Sequence, residues 1–235
     1  MNNLLLSICI PTYNRAEKLL GLLERLLDEI SDHQSLVEII VAENPTLDNE
    51  TICVQDYINE IPLVKYYRHN ENIGFSRNYY FLISKAQSRF VWVLGDDDFV
   101  VDGGITNILS MLQNNDTCDH FLLKREGYAY EYDNRVSVKA DYSEIFGMNT
   151  NVKDILLTYN LESCDSFLLS DLMFISLNIY KVSTLEQYYL PRLDMLNNTD
   201  TSDMFLSDGL FLSLCMINHG FYVADTTTIL SNNTP

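Results

Sequence analysis

The chain has 235 residues, 47% of them hydrophobic, which is long enough for a sizeable core and too apolar for disorder. Fifteen Lys and Arg against thirty-three Asp and Glu give a formal charge of −18. That balance argues against nucleic acid as a partner and against docking on an anionic membrane through a broad basic face. An acidic protein that handles a phosphorylated ligand needs a metal ion to bridge the two. Cys9, Cys53, Cys118, Cys164 and Cys215 are scattered, with no Cys-x-x-Cys spacing, and read as reduced core residues of a cytosolic protein. Leu4 to Ile10 is too short for a signal peptide and lacks a basic start. No stretch approaches the ~18 apolar residues of a membrane span.

Leu4 to Ile10 is the first expected strand, ended by Pro11, which cannot donate to a ladder. Pro11-Thr12-Tyr13-Asn14 forms a turn, and Asn14 followed by Glu17 suggests a capping box. Leu19, Leu22, Leu23, Leu26, Leu27 and Ile30 then repeat at helical spacing. Val37 to Ala42 is the second strand, running into Glu43-Asn44-Pro45-Thr46-Leu47-Asp48. A short helix around Thr51 to Glu60 leads to a third strand, Val64 to Arg68. The polar loop His69 to Gly74 opens a helix, Phe75 to Ala86.

The fourth strand, Phe90 to Leu94, is apolar and β-branched or aromatic. It stops at Gly95 and is followed at once by Asp96, Asp97 and Asp98. Three adjacent like charges repel, and a cation between them makes each easier to hold. Oxygen ligands at this density suit magnesium, manganese or calcium better than zinc. A solvated acidic turn is the bland alternative. An EF-hand fits poorly, because Val101 and Asn107 stand where its glycine and glutamate belong.

Strands alternating with helices predict an α/β fold with a parallel sheet and right-handed crossovers. The polar clusters Thr12 to Asn14, Glu43 to Asp48, Asn72 to Asn78 and Asp96 to Asp98 all follow strands. They should converge at the carboxyl edge, where open sheets bind ligands. Further on, Gly103 to Gln113 reads as helix and Phe121 to Val138 as paired, tyrosine-rich strands. Val152 to Tyr159 and Leu185 to Tyr189 look helical, and Leu168 to Tyr180 is a candidate strand. Met204 to Asn218 is a strong apolar helix closed by Gly220, and Phe221 to Ala224 a short strand before a frayed end at Ser231 to Pro235. Asp208 lies among Phe205, Leu212, Cys215 and Met216, so it points to the interior or a cleft, as a general base would. Alternatively Asp208 or Asp203 caps that helix.

Together these motifs resemble the family 2 glycosyltransferases of GT-A fold. Ser7 to Arg15 resembles that family's first strand and nucleotide loop, and Glu43 to Asp48 its second loop. Asn72-x-Gly74 with Arg77-Asn78 resembles its Asn-x-Gly…Ala-Arg-Asn segment, and Leu94 to Asp98 its Asp-x-Asp segment. The Leu-Gly-Asp-Asp-Asp form is most similar to transferases of bacterial polysaccharide or O-antigen, abequosyltransferases included. Glu43 stands in place of the usual base-reading aspartate, Pro45 in place of a glycine, and Gly95 where the first aspartate often falls.

The resemblance implies a single GT-A domain over 1–235, with a nucleotide-sugar half (1–105) and a smaller acceptor half (106–235). It implies inverting transfer from a nucleotide-diphosphate sugar, UDP-linked by expectation, to a glycan or lipid-linked acceptor. The divalent metal, Mn or Mg, would be held by Asp96, Asp97 and Asp98. The donor would be held by Pro11, Thr12, Tyr13, Asn14, Glu43, Asn44, Asp48, Asn72, Gly74, Arg77, Asp96 and Asp97, with Asp208 the base. Arg77 alternatively is a helix-face cation, and His69, His120 and His219 read as structural or solvated. The expected location is cytoplasmic, at most peripheral at the inner face of the plasma membrane. Two rivals stand beside this: a nucleotidyltransferase, which should carry a glycine-rich basic loop after the first strand, and a non-catalytic nucleotide-sugar-binding domain.

Overall fold

The computed structural model describes residues 4–45, 55, 57–58, 60–131, 134–139, 172–197, 212, 219 and 221–231. The expected helix over Met204 to Asn218, the segment Val152 to Tyr159, and Asp48, Asp203, Asp208 and Gly220 lie outside them, save that Leu212 is helical.

Strands β1 (Leu6–Tyr13), β2 (Val37–Asn44), β3 (Val64–Arg68) and β4 (Phe90–Val93) form a parallel half-sheet in the order β3-β2-β1-β4. Helices α1 (Ala16–Glu29) and α2 (Phe75–Lys85) connect them. After a two-residue strand β5 (Phe99–Val100) and helix α3 (Gly104–Asn114), the long hairpin β6 (His120–Glu131) and β7 (Asn134–Lys139) follows. Strand β8 (Asn178–Lys181), helix α4 (Val182–Asn197) and β9 (Phe221–Ser231) complete the described elements. The sheet continues from β4 through antiparallel β8 to β6, β9 and β5, so residues past 105 extend the same sheet.

Alternation along the central strands explains the layers, because successive side chains leave opposite faces. Leu6, Ile8 and Ile10, Val37, Ile39 and Val41, and Phe90, Trp92 and Leu94 pack with Leu19, Leu22, Leu23 and Leu26 of α1 and with Ile105 and Ile108 of α3. Cys9, Ile40, Ala42, Val91 and Val93 face the other way, onto Tyr79, Tyr80, Leu82 and Ile83 of α2 and Leu185 and Tyr189 of α4. Strands covered on both faces read as continuous apolar runs, which is why they were visible.

The strand ends differ from expectation. Pro11 does not end β1; it pairs with Ala42 inside the strand. The ladder with β4 covers only Leu6 to Cys9, and the last bond runs from the Leu94 amide to the Cys9 carbonyl. Pro11 faces the same side two residues on, where β4 has already turned away, so its missing N–H leaves no ladder bond unmade. Likewise β2 runs through Glu43 and Asn44, which therefore sit on a strand end rather than in a loop. Asn14 forms no capping box: it adopts a left-handed φ of 54°, Arg15 takes the N-cap position, and no side chain caps α1. Of the expected strand Leu168 to Tyr180, residues 172–180 are described, and among these only the stretch from Asn178 is strand, preceded by a 3-10 turn at Ile175–Leu177. β9 extends well past Ala224 to Ser231, held between β6 and β5.

Candidate functional site at the carboxyl edge

Because β1, β2, β3 and β4 are parallel, their carboxyl ends share one edge. Thr12 and Tyr13 end β1, Glu43 and Asn44 end β2, Arg68 ends β3, and Asp96 to Asp98 follow β4. The expected convergence is therefore present for every described cluster. Tyr13 is half exposed, whereas Thr12, Glu43 and Asn44 are buried.

The acidic turn is held by four side chains, Thr12, Arg15, Lys18 and Ser176. Asp96 is buried; its Oδ2 accepts a 2.8 Å bond from Thr12 Oγ1 and its Oδ1 a 3.0 Å bond from Arg15 Nη1. Burial raises its carboxyl above the ordinary range, while the Thr12 and Arg15 bonds pull it back. Asp97 is more accessible and meets Arg15 Nη1 at 2.9 Å and Lys18 Nζ at 3.7 Å. Asp98 turns inward, accepting a 2.5 Å bond from Ser176 Oγ, and burial pushes its carboxyl up to about 7. Ser176 also accepts from the Gly95 amide at 2.9 Å. A Cβ on Gly95 would lie 2.9 Å from Asp98 Oδ2, so a larger residue there has to push the Asp98 carboxylate off its bond to Ser176.

Among the described residues no three His, Cys, Asp or Glu side chains converge as a closed metal site. The three aspartates diverge, with Asp96 toward β1, Asp97 toward α1 and Asp98 toward Ser176. The donor chemistry still fits a hard divalent cation, since accessible carboxylate oxygen stands at Asp97 with two more carboxylates within the turn. Such a site leaves most coordination positions to ligand oxygens.

At the end of β2, Glu43 is bonded by the Tyr66 hydroxyl and approached by Arg68 Nε at 3.7 Å. Asn44 braces the next loop, accepting from the Ile73 amide at 3.1 Å and donating to the Gly74 carbonyl at 3.3 Å. The Gly74 amide donates to Asn72 Oδ1 at 2.9 Å, and Gly74 has a φ of 80°. Asn72 and Gly74 thus shape the loop that starts α2. Arg77 donates to the Leu196 carbonyl at 2.9 Å and the Ile73 carbonyl at 3.3 Å, tying α2 to the end of α4. Asn78 reaches the Ala42 carbonyl at 2.9 Å and His69 Nε2 at 2.9 Å. The described histidines have internal partners: His120 bonds Asn178 at 2.8 Å, and His219 lies 3.2 Å from both Asp119 and the Tyr188 hydroxyl.

Sequence reasoning assigned no role to Arg15 or Ser176. Arg15 was discoverable, as the first cation past the Thr12–Asn14 loop. Ser176 was not, because it comes to Asp98 from 78 residues away.

A comparison with sequence families matches residues 7–167 to the family described as Glycosyl transferase family 2. The chain belongs to glycosyl transferase family 2. Over 115 residues this family 2 chain is 30% identical to abequosyltransferase RfbV of Salmonella typhimurium, covering 47% of this chain and 33% of that protein. Staphylococcus aureus TarS, residues 1–349, superposes with a TM-score of 0.69 at 16% identity, over 97% of this chain and 60% of that one. The same protein has been solved with UDP-GlcNAc, at a TM-score of 0.68. A Pyrobaculum calidifontis mannosyltransferase, PcManGT, solved with GDP-Man and Mn2+, superposes at 0.60 and 14% identity over 96% of this chain and 56% of that one. These structural likenesses show the fold, and it is the expected GT-A type. The family 2 chain spans a third of its curated relative and about 60% of these structural ones. No helix among its described residues is long and apolar enough to cross a membrane.

Proposed function

We propose that this family 2 chain transfers a sugar, with inversion, from a nucleotide diphosphate to a hydroxyl of a glycan or lipid-linked saccharide in bacterial surface polysaccharide synthesis. One observation carries the reading: the Thr12–Asp96 bond joins the nucleotide loop of β1 to the acidic turn after β4 at the carboxyl edge. That bond sets a base-and-ribose region beside a carboxylate cluster, the two halves a nucleotide diphosphate requires.

Glu43, held by Tyr66, would accept an N–H of the base, and Tyr13, half exposed at the end of β1, would offer its ring to the nucleoside. A UDP donor is the reading the UDP-GlcNAc complex of TarS supports, and the abequosyltransferase likeness supports an O-antigen setting. Pro11, Asn14, Asn44, Asp48, Asn72 and Gly74 complete the donor loops, Asp48 from the second loop. Arg77 acts from behind the phosphates by positioning the Ile73–Gly74 loop. Asp97, flanked by Asp96 and Asp98, would hold Mn or Mg. Bound there, a divalent ion supplies charge neutralisation for the departing diphosphate.

Asp208 takes the proton from the acceptor hydroxyl on the face opposite the leaving group. The proposed domain division follows: 1–105 for the donor, 106–235 for the acceptor. The reaction belongs at the cytoplasmic side, peripheral to the membrane where the acceptor is lipid-linked.

The experiment is Asp208→Asn assayed for transfer and for donor binding in parallel. Transfer lost with donor binding kept supports the enzyme reading over a binding module. Undiminished transfer removes Asp208 from the mechanism. A chain that instead releases pyrophosphate from a nucleoside triphosphate and a sugar phosphate is a nucleotidyltransferase.

A further inference from the structure

Arg15 holds two carboxylates through one nitrogen. Its Nη1 lies 3.0 Å from Asp96 Oδ1 and 2.9 Å from Asp97 Oδ2. A guanidinium carries five N–H donors, and Nη1 accounts for two of them. Among the described residues no side chain or carbonyl takes the other three, on Nε and Nη2. The Arg15 side chain is 48% exposed although Asp96 is 5% exposed, so a buried acid is capped by a cation with one side in water. Lys18, one turn into α1, stands 3.7 Å from the same Asp97 oxygen and is equally exposed. The left-handed Asn14, at φ 54°, turns the chain from β1 into α1 and sets both cations at this one turn.

This geometry differs from a stable buried ion pair in two ways. Each carboxylate is gripped by a single N–H rather than by the two-pronged fork that gives arginine pairs their strength. Both cations are also about half exposed, and at the protein surface an ion pair contributes little and is easily broken. The contact is therefore replaceable. It nonetheless places up to two positive charges on the Asp97 oxygen that a divalent cation would need.

We infer that Arg15, seconded by Lys18, is a resident counter-cation of the acidic turn that competes with the divalent metal and then serves the diphosphate. In the donor-free protein it neutralises Asp96 and Asp97. When a divalent ion takes Asp97, Arg15 is released from that oxygen and keeps Asp96. Its three unspent N–H groups, on a half-exposed side chain, donate to phosphate oxygens of the incoming nucleotide. Metal alone therefore binds weakly, because it must displace a cation. Metal together with a nucleotide diphosphate binds well, because the displaced cation gains new partners. The result is coupling between metal and nucleotide. This inference rests on the donor-site reading proposed above, but makes a claim about metal alone that does not need transfer to occur.

The test is titration of Mn2+ alone, read by electron paramagnetic resonance of the free ion, followed by calorimetric titration of UDP at saturating Mn2+. Wild type, Arg15→Gln, Arg15→Lys and Lys18→Gln are compared. Arg15→Gln should bind Mn2+ alone roughly tenfold more tightly, since a unit charge near a divalent ion is removed, and UDP roughly tenfold more weakly. Lys18→Gln should shift metal affinity in the same direction by less. Arg15→Lys should leave metal affinity near wild type and weaken UDP, because it keeps the charge and loses the fork. Should Arg15→Gln fail to fold, the Lys18→Gln and Arg15→Lys pair carries the same two signs. Metal affinity unchanged or reduced in Arg15→Gln, or in Lys18→Gln if that variant has to stand in, overturns the inference. So does UDP affinity unchanged in Arg15→Gln and Arg15→Lys. A wild type that binds no nucleotide with Mn2+ instead overturns the donor-site reading, while the metal-alone comparison still decides whether Arg15 competes.

Discussion

Ser176 donates a 2.5 Å hydrogen bond to Asp98 across 78 residues of sequence, while its oxygen accepts from the Gly95 amide. The 3-10 turn ahead of β8 thus supports the acidic turn after β4. Trp92 strengthens the same link, donating from Nε1 to the Ser176 carbonyl at 2.8 Å. Ser176→Ala should destabilise the fold by about 1–2 kcal/mol, because it removes a bond to a buried carboxyl. Urea unfolding of the variant, with calorimetric metal binding beside it, checks this; an unchanged midpoint would mean water replaces the hydroxyl at no cost.

Asp98 and His120 titrate in opposition. Asp98 sits at about 7, above its ordinary value, chiefly through burial, so its contribution to stability is full below about pH 4 and is lost as pH rises through 7. His120 is fully buried, its Nδ1 has no hydrogen-bond partner among the described residues, and burial lowers it to about 4. Its contribution is full above about pH 6.5 and is lost as pH falls toward 4. Each is worth roughly 2–4 kcal/mol over its window. Metal-free Asp98→Asn should therefore lose stability on acidification from pH 7 to 4.5 more steeply than wild type. His120→Phe should instead gain stability on the same acidification. Denaturant midpoints at the two pH values, with equal slopes for all three proteins, would contradict both assignments.

A side chain at Gly95 should displace the Asp98 carboxylate. Gly95→Ala puts a methyl 2.9 Å from Asp98 Oδ2 and 3.4 Å from both Asp97 Oδ1 and Ser176 Oγ. A carboxylate must move, at a cost of about 1–2 kcal/mol to stability and at least tenfold to metal-dependent nucleotide binding. Equal nucleotide affinity would show that the turn is not part of the donor site.

At the other end of the site, Tyr66→Phe leaves buried Glu43 with Arg68 Nε 3.7 Å away. Stability should fall by about 1–2 kcal/mol and nucleotide affinity several-fold, with nucleobase preference broadened. Competition among UDP, GDP, CDP and ADP measures that preference directly.

How much of this was written in the sequence depended on range. Strands β1, β2 and β4 were legible because burial on both faces makes them largely apolar runs, and the acidic turn because three aspartates follow β4. Strand ends were not. Pro11 ends a strand only if a neighbour needs its N–H, and β4 has already turned away at Cys9. The Asn14–Glu17 spacing suggested a cap, but the left-handed turn at Asn14 gives that place to Arg15. β5 is two residues long and, among the described residues, pairs with β9 alone, at Ile229 and Leu230 beyond the part of β9 that reads as strand. The resemblance put Arg77 with the donor, and its charge alone left a helix-face cation open, whereas the Leu196 carbonyl it bonds comes from 119 residues away and leaves no mark in the sequence.

The central claim is a metal-dependent nucleotide-diphosphate site at the end of β4. It is tested most directly by calorimetric titration of a nucleotide diphosphate panel, with and without Mn2+, into wild type, Asp97→Ala and Asp98→Ala. One preferred nucleotide should bind with Mn2+, at least tenfold more weakly in Asp97→Ala. No metal-dependent binding of any nucleotide to wild type, or binding indifferent to both substitutions, would contradict it.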